Sequence, residues 1–151
     1  MTTLTLQQLI PVIQTAVGPV ILISGVGLLL LSITNRFGRI VDRARLLARE
    51  LPDAGARQGQ LSEQLAIIYR RSKVLRLSIV LATSSVLLAG LLVISLFLAA
   101  LLHLEAALLV SFLFILCMAS LIGSLVVFLL DLQMSLAALR VELAQAGFVG
   151  K

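Results

Sequence analysis

The residues able to do chemistry are few, and most of them share one line. Gln14, Gly18, Ile21, Gly25, Leu28, Ser32, Arg36, Arg39 and Arg43 follow one another at spacings of 4, 3, 4, 3, 4, 4, 3 and 4. Successive helical residues turn by about 100°, so these positions stay within about 40° of one line along the helix. An amide, small residues, two aliphatic side chains and then guanidiniums form a polar, small and finally basic seam. The chemistry open to such a seam is electrostatic: a close backbone contact, an ion path, or the binding of anions. Covalent chemistry is another matter. A nucleophile needs a base within hydrogen-bond reach, yet the chain has one histidine, His103, and seven scattered acidic residues. It contains no HExxH, CxxC or glycine-rich phosphate loop. No enzyme activity and no cofactor are expected. His103 and Glu105 are the weak candidates for metal or proton binding, as a ring at the outer side of an oligomer; the plainer reading makes them interfacial polar residues at a helix turn.

The elements that carry this seam are apolar. Residues 12–34, 77–102 and 106–130 contain no Asp, Glu, Lys or Arg, and each exceeds the roughly 20 residues that cross a bilayer as a helix. The chain is 60% hydrophobic and 13% charged, whereas a soluble domain has about a quarter of its residues charged. Too little polar sequence remains to cover three such helices in water. The fold class expected is therefore all-α, an integral membrane protein with three long transmembrane helices that extend into a cytoplasmic helical region.

Ten of the twelve basic residues lie between Arg36 and Arg76. Positive-inside bias then places the N-terminus outside, residues 36–76 in the cytoplasm, the turn at 103–105 outside and the C-terminus inside. With no basic stretch ahead of the first apolar run, that run is read as a retained crossing and not a cleaved signal. The net charge of +5 hugs the membrane boundary, which suits anionic lipid headgroups and not nucleic acid. Arg36, Arg39, Arg43, Arg70, Arg71, Lys73 and Arg76 are the candidate contacts to headgroups or other anions. The lone Cys117 excludes an intramolecular disulfide and reads as a small apolar filler.

In order, residues 1–11 form an outer interfacial segment that Pro11 ends or bends, and 12–35 the first crossing, kinked at Pro19. Its helix runs on to about Leu51, where Leu51-Pro52-Asp53-Ala54-Gly55 stops it. Residues 36–76 make an arginine-rich helical hairpin, with a second helix from Leu61 or Ser62 running into the crossing at 77–102. Ser78, Ala82, Ser85 and Ala89 share one face of it, and Ala119/Gly123 and Ser120/Ser124 repeat the small-residue spacing in the crossing at 106–130. Small residues at this spacing let backbones approach, with the hydroxyls bonding to the preceding turn. Residues 131–151 continue as a cytoplasmic amphipathic helix striped by Leu132, Leu136, Leu139 and Leu143, with Gly147 as its cap.

The strings LLLLSITNRFGRIVDRARLL (residues 28–47) and YRRSKVLRLSIVL (residues 69–81) resemble a bacterial family of small three-helix membrane proteins catalogued only as a domain of unknown function. The resemblance implies three membrane helices and a cytoplasmic arginine-rich segment, and implies no activity. The chain is accordingly expected in the bacterial inner (cytoplasmic) membrane.

Two functions fit the seam. In the first, several copies of the opening helix surround an axis. Gln14 forms an outer polar ring, Ile21 and Leu28 apolar gates, and Arg36, Arg39 and Arg43 a basic vestibule. That order is similar in pattern to the pore helix of store-operated calcium channels, without the acidic ring that calcium selectivity needs. In the second, Gly18, Gly25 and Ser32 make a close helix contact in a non-conducting scaffold or regulatory module. Its arginines then bind anionic lipid or a cytoplasmic partner. Both call for a homo-oligomer, because three helices bury little alone.

Overall fold

Long uninterrupted apolar sequence leaves the backbone one economical way to satisfy its own polar groups, which is to bond along the helix. A computed structural model describes residues 6–53, 55–102 and 105–145. Helix α1 (Leu6–Glu50) is followed by single 3-10 turns at Leu51–Asp53 and Gly55–Arg57, then by α2 (Gln58–Leu102) and α3 (Ala107–Gln145). The helices hold 45, 45 and 39 residues, so each runs about 60–70 Å at about 1.5 Å per residue.

Pro11 does not end the first helix. Both Pro11 and Pro19 lie inside α1, and the hydroxyl of Thr15 donates to the Pro11 carbonyl at 2.8 Å. Each proline forfeits one backbone bond, which costs less in an apolar setting than freeing a whole turn of donors and acceptors. The stop comes instead where turn residues cluster. Pro52 cannot continue the helix, and Gly55 adopts φ +50°, the left-handed conformation that a side chain disfavours. The first helix ends at Glu50, one residue before Leu51, and the second begins at Gln58, ahead of the expected Leu61 or Ser62. Gly147 and the five residues at the N-terminus lie outside the described residues, as do the side chains of Leu136, Leu139 and Leu143.

The chain divides into two units, residues 1–32 with 80–123 and residues 33–79 with 124–151. In the first, Ala16, Val26, Ala82, Ser85, Ala89, Leu92 and Cys117 are buried. The second buries Ile33, Leu75, Ser78, Ser124 and Asp131. Along α2 the buried positions Leu75, Ser78, Ala82, Ser85, Ala89 and Leu92 alternate spacings of 3 and 4. That is the 3.5-residue period of a helix keeping one seam against its neighbours.

The serines on this seam bond across to α3, not back along their own helix. In the second unit Ser78 Oγ donates to the Ser124 carbonyl at 2.9 Å, and Ser124 Oγ returns the bond to the Ser78 carbonyl at 2.8 Å. In the first, Ser85 Oγ donates to the Cys117 carbonyl at 3.1 Å, Cys117 Sγ lies 3.3 Å from the Ser85 carbonyl, and Ser120 Oγ donates to Leu81. Cys117 is thus a paired thiol and not a mere filler. The reason is proximity: these side chains are so short that a neighbouring backbone carbonyl comes within reach. In lipid, where apolar helices gain nothing hydrophobic by associating, close packing and such bonds hold them together. A methyl group on Gly123 would already meet Leu81 Cδ1 at 3.5 Å.

Away from the buried positions the helices are bare. Leu108 is 89% exposed and Leu28 72%. Only 17%, 17% and 11% of the most apolar stretches of the three helices are buried within the chain. Helices this apolar and this uncovered require lipid, and the protein is an all-α membrane protein with three helices long enough to cross. Ala82→Leu, forcing four-carbon bulk into a site with no exposure, is expected to destabilise the fold by about 1–3 kcal/mol. Leu108→Ala is expected to leave thermal unfolding in detergent nearly unchanged.

Candidate functional site

Charge is expensive inside an apolar bundle, so a buried ion marks a place where the sequence has done something specific. Asp131 is that ion. It follows directly on the charge-free run of α3 and is fully buried. Its spacing explains this: Cys117, Ser124 and Asp131 stand seven residues apart, so all face the same seam. Arg36 Nε lies 3.4 Å from Asp131 Oδ2, and Arg71 Nε lies 3.6 Å from Oδ1. The two guanidiniums come from α1 and α2, so one carboxylate joins all three helices.

Ser135, one turn beyond Asp131, completes the arrangement. Arg36 Nη2 donates to its hydroxyl at 3.1 Å, and Arg71 Nη2 donates to the same oxygen. Each planar fork therefore spans from carboxylate to hydroxyl. A hydroxyl oxygen has two lone pairs and can accept both. Among the described residues the carboxylate oxygens and Arg71 Nε make no hydrogen bond, so their contacts are Coulombic. The cluster keeps one net positive charge, and its arginine side chains are 27% and 19% exposed.

This changes the standing of two candidate residues. Arg36 was expected to offer a free charge to a vestibule or to headgroups, and Arg71 to headgroups; both are committed to Asp131. The rest of the seam is solvent-accessible in the single chain, although Gly18 borders a cavity that it shares with Leu22, Ala89, Leu92, Phe114 and Cys117. Gln14, Gly18, Ile21, Gly25, Leu28, Ser32, Arg39 and Arg43 are all exposed, while the covered side of α1 holds Ala16, Val26 and Ile33. An added Cβ at Gly18 or Gly25 would meet nothing within 4 Å, so no close helix contact is made at these glycines within the chain. Arg70, Lys73 and Arg76 are exposed on α2, and Lys73 Nζ lies 4.7 Å from the centre of the Tyr69 ring. Asp42 pairs with Arg45 at 3.9 Å on an exposed surface, which adds little. Glu105 is exposed, His103 lies outside the described residues, and these contain no group of three metal-ligating side chains.

Asp131 and Ser135 were the functional-looking residues that reading the sequence passed over. The available signal was the seven-residue spacing from Cys117 and Ser124, which turns Asp131 inward. Removing the carboxylate strands two guanidiniums. Asp131→Ala is expected to destabilise the protein by about 3–5 kcal/mol, whereas the triple replacement Arg36→Met, Arg71→Met, Asp131→Leu is expected to recover most of the loss. Thermal unfolding of the detergent-solubilised variants checks both.

No curated protein and no solved structure matches the chain. The family described as "Protein of unknown function (DUF2721)" matches residues 16–141, a stretch that contains Arg36, Arg71, Asp131 and Ser135. The chain belongs to that family.

Proposed function

We propose that the protein works as a homo-oligomer in a cytoplasmic membrane, its first helices surrounding a shared axis along which ions pass. The N-terminus then lies outside and the basic arms inside, following the arginine and lysine bias. The observation that carries this reading is the uncovered line on α1. Gly18 and Gly25 lie on it where an added Cβ would meet nothing within 4 Å, and a helical glycine costs about 0.5–1 kcal/mol relative to alanine. A neighbour from outside the chain offsets that cost by approaching closely. Gln14 and Ser32, exposed beside them, find polar company at an axis and none in hydrocarbon. Ile21 and Leu28, 66% and 72% exposed, serve as the dewetting constrictions. With Arg36 held on Asp131, the inner vestibule rests on Arg39 and Arg43.

A second reading is a non-conducting scaffold or regulatory module that binds anionic lipid or a cytoplasmic partner. It is favoured by Arg39, Arg43, Arg70, Lys73 and Arg76, which are exposed and form no ion pair with a carboxylate among the described residues. Ion flux in liposomes separates the two. The channel predicts flux that rises when Ile21→Ser wets the constriction and changes with Gln14→Ala. Flux absent in every variant and at every voltage leaves the scaffold.

A further inference from the structure

Which of the free basic residues can touch a lipid depends on how far each lies along the helices, and the register of α2 on α3 settles that. Ser78 lies opposite Ser124, and Arg71 opposite Asp131, seven residues further along each helix. The antiparallel register is therefore constant over this stretch. Arg76, five residues from Arg71, is level with Val126, about 7.5 Å into the charge-free run of α3. Around that level α3 exposes Val126, Leu125 and, level with Lys73, Leu129, side chains suited to acyl chains. Arg39 and Arg43 lie on the opposite side of the Asp131 cluster, since α1 moves away from its own apolar run beyond Arg36.

From this placement we propose that Tyr69, Lys73 and Arg76 form a headgroup site on an exposed face of α2 for an anionic phospholipid, with Tyr69 at the edge of the groove it shares with Val41, Ala44 and Arg45 of α1. The three follow at spacings of 4 and 3 and all are exposed. Arg76 ion-pairs with no carboxylate among the described residues. An arginine at that depth lays its stem along apolar surface and turns its fork outward, where a phosphate accepts two parallel hydrogen bonds. Lys73, one turn further out with its ammonium 4.7 Å from the Tyr69 ring, adds a second positive charge on the same face for the one anionic headgroup. Tyrosine is at home at this boundary, its ring apolar and its hydroxyl wet. The site rests on the lipid-binding reading above and is independent of whether ions pass.

The test is native mass spectrometry of the detergent-solubilised protein titrated with phosphatidylglycerol, phosphatidylcholine or inorganic phosphate. Phosphatidylglycerol is expected to bind most tightly, and Arg76→Gln and Lys73→Gln each to weaken it about fivefold, the effect of one basic residue at an anionic surface. Arg39→Gln and Arg43→Gln are expected to leave it unchanged. Should Arg76→Gln fail to fold, Lys73→Gln gives the same reading. Loss confined to Arg39→Gln and Arg43→Gln overturns the site while the lipid-binding reading stands. Equal affinity for phosphatidylcholine overturns both, and full competition by inorganic phosphate shows an anion site with no lipid in it.

Discussion

One carboxylate holding two guanidiniums decides how the three helices are arranged around their polar boundary. Asp131 is fully buried, and Arg36 and Arg71 approach its two oxygens at 3.4 and 3.6 Å. Taking an ion out of water costs several kcal/mol, and the cost is recovered only if its counter-charges arrive with it. Arg36 and Arg71 must therefore be on the inward side of their helices at this level, and that fixes the rotation of α1 and α2 there. Ser135 narrows the geometry further, because each guanidinium must reach both the carboxylate and the hydroxyl one turn on. Such a cluster adds less to stability than an apolar core of equal volume. What it supplies is a single register.

The rest of the adhesion is made of small terms. Serine hydroxyls and backbone carbonyls link α2 to α3 at Ser78–Ser124, Ser85–Cys117 and Ser120–Leu81, each worth about 0.6 kcal/mol by the measured average for membrane helices. Within the second unit the bonds drawn from α1 to α3 come from Arg36. With Ala16, Val26 and Ile33 turned to the covered side, the polar and small line from Gln14 to Ser32 is left exposed, with Gly18 also bordering a cavity toward Ala89, Leu92 and Cys117. A line of that composition on an uncovered membrane helix is the physical basis for placing sister chains against it.

Much of this was legible in the sequence. Three charge-free runs and one cluster of turn residues, Pro52 to Gly55, marked the helices to within a few residues, and the alternation Ser78, Ala82, Ser85, Ala89 marked the seam of α2. The Asp131 cluster was not legible, because its partners are remote in the chain and its position at the end of an apolar run reads as an ordinary solvated charge. Arg36 and Arg71 were hidden among ten basic residues of one segment, with nothing local to separate the paired from the free. The hydroxyl bonds were misjudged for a related reason. A serine reaches its own preceding turn in any helix, so only the backbone approach permitted by its small neighbours makes the bond across to another helix the better one.

An experimental map of the protein in a lipid nanodisc tests the central claim most directly, since it locates both the carboxylate and the outward line. The account predicts several copies around one axis, each with Arg36 and Arg71 on its own Asp131, and Gln14, Gly18 and Gly25 turned toward that axis. A single copy, or an assembly in which those residues face hydrocarbon, would contradict it.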